Sequence, residues 1–225
     1  MFGLTRSAVA ATILTLCGLT QTAAQADPDR AVAGGGGLPP GWHARTDGNR
    51  PLANVKFEPM SVGYHATLGP AAIFWRDADT ASAGYGVEAK LWWFPDTSAS
   101  HRGHREGYGL FVGGSDLGGA RQRYTYFLIR GDGTFLVKRR VGDSTASVTP
   151  TWTPSKTVVT QDSAAAATPV ENTLAIRVAG TKASFLVNGT EVYTADAGAL
   201  DVKGIVGYRV NHNLNVHLGP LAISR

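Results

Sequence analysis

Hydrolysis of a glycosidic bond needs two carboxyl groups flanking it, roughly 5 to 10 Å apart, so the acids are the first place to look for chemistry. The chain has five glutamates, Glu58, Glu88, Glu106, Glu171 and Glu191, each isolated along the sequence. Glu88 as an acid/base, assisted by Lys90, His104 or His217, is the catalytic arrangement these residue types allow. Glu88 and Lys90 lie two residues apart in an alternating segment and read more simply as an ion pair on an exposed sheet face. The pair His101 and His104, with His212 and His217 near the C-terminus, has metal-like spacing, but Arg102 and Arg105 place cations where a divalent ion would sit. Asp77 and Asp79 offer calcium two oxygen-bearing side chains, against the about six to eight oxygens it takes. No G-x-S-x-G elbow occurs for a nucleophilic serine. Catalysis is therefore the secondary reading. No metal or cofactor is expected, calcium at Asp77 and Asp79 being the one alternative.

The basic residues carry more information. The formal charge is +4, too mild to argue for nucleic acid. Residues 101–140, however, hold eight Lys and Arg (Arg102, Arg105, Arg121, Arg123, Arg130, Lys138, Arg139, Arg140) against three acids, Glu106, Asp116 and Asp132. Aromatic residues interleave with them. Guanidinium forks fit carboxylates, sulfates and phosphates, and aromatic faces stack on sugar rings. Trp92, Tyr124 and Tyr126 as stacking platforms, with His104, Arg105, Arg121 and Arg123 as polar contacts, would suit an oligosaccharide or polysaccharide, an anionic one in particular. The competing reading is that Arg and Lys dress exposed strands to block edge pairing.

These residues must be positioned by strands. From about Pro51 the chain alternates apolar and polar residues with period two, broken at short intervals by Gly, Asn and Asp, the pattern of an all-β sandwich or barrel. Asp132-Gly133 and Asn188-Gly189 each sit between alternating runs and accept the positive φ of a tight hairpin turn; Gly180 closes a third. Alternation predicts that Tyr85, Val87, Ala89, Leu91 and Trp93 point into the core. Leu174, Ile176, Val178, Ala183, Phe185, Val187, Phe127, Ile129, Phe135 and Val137 join them. Glu88, Lys90 and Trp92 take the opposite face of their strand, and Tyr124, Tyr126, Leu128 and Arg130 face away from the core on theirs.

The start of the chain addresses the compartment. Arg6, the apolar stretch Ala8 to Leu19, and Ala24-Gln25-Ala26 read as a secretory signal cleaved near Ala26. The product is expected to be secreted or periplasmic. The apolar stretch is well short of the roughly 20 residues that cross a bilayer, and no later segment is longer, so no membrane span is expected. Cys17, the single cysteine, falls inside the signal; the chain beyond it can form no internal disulfide and must be held by burial alone. Residues 27–50, with Gly34 to Gly37, Pro39, Pro40 and Gly41, show no hydrophobic period and read as a flexible leader. Residues 51–225 form the predicted domain.

Three segments resemble the concanavalin A-like lectin/glucanase superfamily, especially its laminin-G-like and bacterial 3-keto-disaccharide hydrolase-like members. They are Tyr108-Gly-Leu-Phe with Tyr126-Phe-Leu-Ile-Arg-Gly-Asp-Gly-Thr-Phe; Asn172-Thr-Leu-Ala-Ile-Arg-Val with Phe185-Leu-Val-Asn-Gly-Thr-Glu-Val; and Gly204-Ile-Val-Gly-Tyr. The resemblance, from about Phe57 to the C-terminus, implies a two-sheet antiparallel jelly-roll sandwich with ligands on the concave face or at the rim loops. Carbohydrate is the ligand it implies. The paired acids of the endoglucanases in that superfamily have no counterpart around Glu88-Ala-Lys90, so the expectation is a noncatalytic binder. The alternatives are a sugar-processing hydrolase or lyase and a protein-binding adhesion module.

Overall fold

Along the strand that carries Glu88, buried and open residues alternate as predicted: Tyr85, Val87, Ala89 and Leu91 are buried, and Glu88 and Lys90 are exposed. The computed structural model describes residues 28–95, 106–161 and 168–225. In chain order its strands are β1 (His43–Thr46), β2 (Val55–Pro59), β3 (Tyr64–Leu68), β4 (Ala72–Ala81), β5 (Tyr85–Trp93), β6 (Tyr108–Ser115), β7 (Arg123–Ile129) and β8 (Thr134–Val141). Then come β9 (Ser144–Ser147), β10 (Thr153–Pro154), β11 (Val170–Ala179), β12 (Lys182–Val187), β13 (Thr190–Asp196), β14 (Gly204–Val210), β15 (Asn215–Leu218) and β16 (Ala222–Ser224).

Among the described residues these strands form two eight-stranded sheets. The front sheet has the order β1-β4-β14-β6-β7-β8-β10, with β9 also on β8; the back sheet has β13-β12-β11-β5-β15-β3-β2, with β16 also on β5. Neighbours in both are antiparallel. The jumps β4 to β14 and β5 to β11 make this a jelly-roll sandwich rather than a meander. Phe74, Tyr108, Leu110, Phe127, Val206 and Tyr208 of the front sheet meet Val87, Leu91, Leu174, Ile176 and Phe185 of the back sheet in one core.

The turn residues do what their types predict. Asn188 and Gly189 both have positive φ (50° and 80°) between β12 and β13, Gly133 has φ 83° between β7 and β8, and Gly180 has φ 57° between β11 and β12. Two expectations change. The alternating stretch from Leu214 to Ser224, which period two alone would make one strand, is divided at Gly219-Pro220 into β15 and β16, because proline has no N–H for the ladder. Part of the stretch read as a flexible leader is built into the sandwich: β1 pairs with β4, and Trp42 and Val32 are buried. Four residues of strand beside a Gly/Pro run show too few periods for alternation to register.

One buried polar residue ties a loop to the sheet. Asn172, on the core side of β11, accepts from the Val159 N–H (2.8 Å) and donates to the Val159 carbonyl (3.1 Å). Asn188 donates to the same Asn172 carbonyl oxygen at 2.9 Å and accepts from the Thr173 N–H at 2.7 Å. Asn172→Ala strands these groups and is expected to cost about 2 kcal/mol in urea denaturation; a loss below about 0.5 kcal/mol would show that water replaces the amide.

Candidate functional site

Tyr124, Tyr126 and Leu128 of β7 point away from the main core, as their parity predicts, but they are not open to water. Tyr124 and Tyr126 are 1% and 6% exposed. They pack with Ile73, Trp75, Phe111, Leu117 and Leu128 in a second apolar cluster on the outer face of the front sheet. One register row crosses this face: His43, Trp75, Gly207, Phe111, Tyr126 and Lys138, on β1, β4, β14, β6, β7 and β8. Burial pushes the Tyr126 hydroxyl up to about 12, so it stays neutral.

Arginines and two turns cover the aromatics. Arg45 and Arg209 flank Ile73 in the adjacent row. Arg45 donates to the carbonyls of Leu117 (3.1 Å) and Gly119, fastening that turn over the sheet. Asp47, in the turn after β1, is gripped from below: Arg209 donates to Oδ1 (2.8 Å) and Oδ2 (2.6 Å), and Arg140 donates to Oδ1 (2.9 Å). The Arg209 and Arg140 side chains are 8% and 10% exposed, whereas that of Asp47 is 39% exposed. Burial works against ionising Asp47, but Arg209, Arg140 and Arg45 outweigh it and hold the carboxyl below its ordinary value. The result is a fixed, ionised acceptor facing water, on buried cations, above an aromatic floor.

The residues expected to make one binding surface are thus separated. Trp92 is on the outer face of the back sheet, on the far side of the sandwich from Tyr124, in the row Glu58, His65, His217, Trp92, Glu171. Arg123 is engaged, with Arg139, by Asp201 (3.1 and 2.9 Å), whose backbone N–H donates to Thr125. Arg121 is almost fully exposed, its nearest acid Asp116 at 3.9 Å. His104 and Arg105, with His101 and Arg102, lie outside the described residues. The reading of Tyr124 and Tyr126 as open stacking platforms is therefore corrected: alternation says which side of a sheet a ring takes, not whether turns cover that side.

The catalytic alternative disperses too. Glu88 faces Ala175 on β11 and Ala222 on β16. Lys90 pairs with Glu171 at 2.9 Å rather than with Glu88. His217 sits between His65 and Trp92, its protonation suppressed by burial and then by His65. Asp79 is bound bidentately by Arg76 (2.7 and 3.0 Å) and Asp77 lies 3.3 Å from His43, so cationic or ionisable partners already occupy both proposed calcium ligands. Among the described residues no group of three or more His, Cys, Asp or Glu could hold a metal ion.

Asp47, Arg45 and Arg209 escaped the sequence reading. Arg209 did leave a trace, as a charged residue in the otherwise uncharged strand Gly204–Val210 at a position facing away from the core. A charge there asks for a partner, and alternation cannot name one 162 positions away.

No family model matches the chain, and no curated protein matches it in sequence. Solved structures do match in shape. The carbohydrate-binding module CBM66 from Bacillus subtilis aligns with TM-score 0.57 at 10% identity, covering 82% of this chain and 96% of that one. A β-glucanase from Bacillus licheniformis aligns with TM-score 0.54 at 12% identity, over 84% and 94%. A protein of unknown function with a galectin-like fold from Bacillus subtilis aligns with TM-score 0.53 at 12% identity, over 81% and 88%. At such identities the likeness is one of fold, and the fold of this chain is the concanavalin A-like jelly-roll sandwich.

Proposed function

We propose that this chain is an exported, noncatalytic carbohydrate-binding sandwich whose sugar site is the outer face of the front sheet at Asp47. One observation carries the reading: a partly exposed carboxylate is held rigid by two buried guanidinium groups over Trp75, Phe111, Tyr124 and Tyr126. A fixed carboxylate accepts from neighbouring sugar hydroxyls without losing side-chain entropy on binding. Arg45, Arg140, Arg209 and Lys138 outnumber Asp47 and Asp143 here, and the Arg140 Nε is buried without a hydrogen-bond partner among the described residues. That surplus of positive charge favours acidic sugars. The carbohydrate-binding module among the structural matches supports a sugar ligand, the alanines flanking Glu88 support a noncatalytic role, and the N-terminal signal pattern supports export. No helix among the described residues is long and apolar enough to cross a membrane.

A glycan array carrying neutral and uronic oligosaccharides, followed by titration calorimetry on the hits, tests this. Uronic oligosaccharides are expected to bind in the micromolar to millimolar range and to weaken with added salt. Asp47→Asn is expected to weaken them about tenfold, and Lys138→Glu to remove the preference for acidic over neutral chains. Absence of binding at about 10 mM of every glycan, or unchanged affinity in folded Asp47→Asn, would overturn the assignment.

A further inference from the structure

We infer that a second pocket, at the end of the sandwich beside Trp42, takes a single neutral sugar ring such as the terminus of a saccharide chain. It uses none of the Asp47 residues. The cleft has a volume of about 260 Å³, and its walls include Trp42, Met60, Tyr64, Arg76, Tyr208 and Leu221. It opens where the two sheets part: the Trp42 ring lies 5.0 Å from Phe57 and 4.7 Å from Tyr64 on the back sheet, and 6.0 Å from Tyr208 on the front sheet. Drug-sized sites run from roughly 300 to 1,000 Å³, so this space suits one ring and not a chain.

Three features select the ligand. The aromatic walls offer flat apolar faces, which stack on the C–H face of a sugar. The Arg76 guanidinium lies 5.2 Å over the Trp42 ring and is neutralised by Asp79 through Nε and Nη2, so Nη1 remains outside that pair as a donor beside a carboxylate acceptor. A paired guanidinium and carboxylate bind hydroxyls and give no net attraction to an anion, hence a neutral ligand. The Trp42 indole N–H is also buried without a partner among the described residues, a donor left over in the wall.

The walls are set before a ligand arrives. Tyr208 donates its hydroxyl to the Gly219 carbonyl, next to Pro220 and Leu221. Gly63 holds φ 74°, and a Cβ there would lie 2.2 Å from the Leu218 carbonyl oxygen, so the β2–β3 turn is seated against β15. That turn also carries Met60, 52% exposed and part of the cleft wall, and Val62, 60% exposed, two residues further on. Apolar side chains fixed open beside an aromatic cleft are a surface awaiting an apolar face.

The Trp42 indole resonance in a ¹H–¹⁵N spectrum, assigned by its loss in Trp42→Phe, reads this cleft directly. Titration with methyl β-glucoside, methyl β-galactoside and methyl α-mannoside is expected to move it with a millimolar dissociation constant for at least one, and sodium glucuronate is expected to leave it in place. Arg76→Gln and Met60→Asp, the latter at a side chain 52% exposed, should each weaken the response severalfold, and Asp47→Asn should not. The inference fails if none of the three glycosides moves the peak at about 50 mM, if glucuronate moves it as strongly, or if both cleft variants respond like the parent. Loss of glycan-array binding in Asp47→Asn with this response intact separates the two sites.

Discussion

Asp47→Ala lowers the unfolding free energy by about 2 to 3 kcal/mol at pH 7, the largest effect expected from one surface-facing side chain in this protein. The substitution leaves Arg209 and Arg140, both about nine-tenths buried, facing one another with no counter-charge between them. Breaking a buried pair costs about 3 to 5 kcal/mol; the 39% exposure of Asp47 lets water screen part of that, which brings the cost down to about 2 to 3 kcal/mol. In a domain of this size the loss lowers the melting temperature by roughly 4 to 12 °C. The pH dependence has a definite sign. The folded carboxyl titrates below its unfolded value, so its stabilisation is fully present above about pH 4 and disappears as pH falls through the folded value. The gap between the parent and Asp47→Asn should therefore narrow steadily as the pH is lowered from about 5. A gap of constant size across that range in urea melts would mean that the carboxylate charge is not what the arginines hold.

Gly113→Ala is expected to cost about 3 kcal/mol or more and to do so through a distant loop. Gly113 sits at the irregularity in β6 with φ 69°, a backbone conformation that side chains strain, and a Cβ there would lie 2.1 Å from the Asp201 carbonyl oxygen and 2.6 Å from the Val202 N. That loop cannot simply withdraw. Asp201 receives Arg123 and Arg139, its N–H donates to Thr125, and the Val202 carbonyl accepts the buried Tyr85 hydroxyl at 2.5 Å. Displacing it exposes the end of the core and releases two guanidinium groups together. The measurement is a melting curve with amide exchange at residues 200–203. A loss below about 1 kcal/mol, with unchanged protection there, would show that the backbone yields.

Period-two alternation made much of the sandwich legible. A strand has two faces, and Val87, Leu91, Leu174, Ile176, Phe185 and Phe127 declare theirs by position alone. Hairpins at Asn188-Gly189 and Asp132-Gly133 were equally legible, because positive φ is a local requirement. The candidate site was not. The basic run from Arg121 to Arg140 includes Arg140, which does serve Asp47, yet Arg123 and Arg139 belong to a different carboxylate at the sandwich end. Charge counted along the chain merges neighbours in sequence that strand alternation sends to opposite faces.

Fold class, the inward residues and the tight turns come from the chain alone, since each rests on the backbone's two-residue repeat or on the conformational freedom of a single residue. Water's access to Tyr124 and Tyr126, the partner of Arg209 and the cleft at Trp42 come from assembly. Each depends on turns and strands far apart in sequence meeting at one place, and a one-dimensional pattern carries no term for that distance.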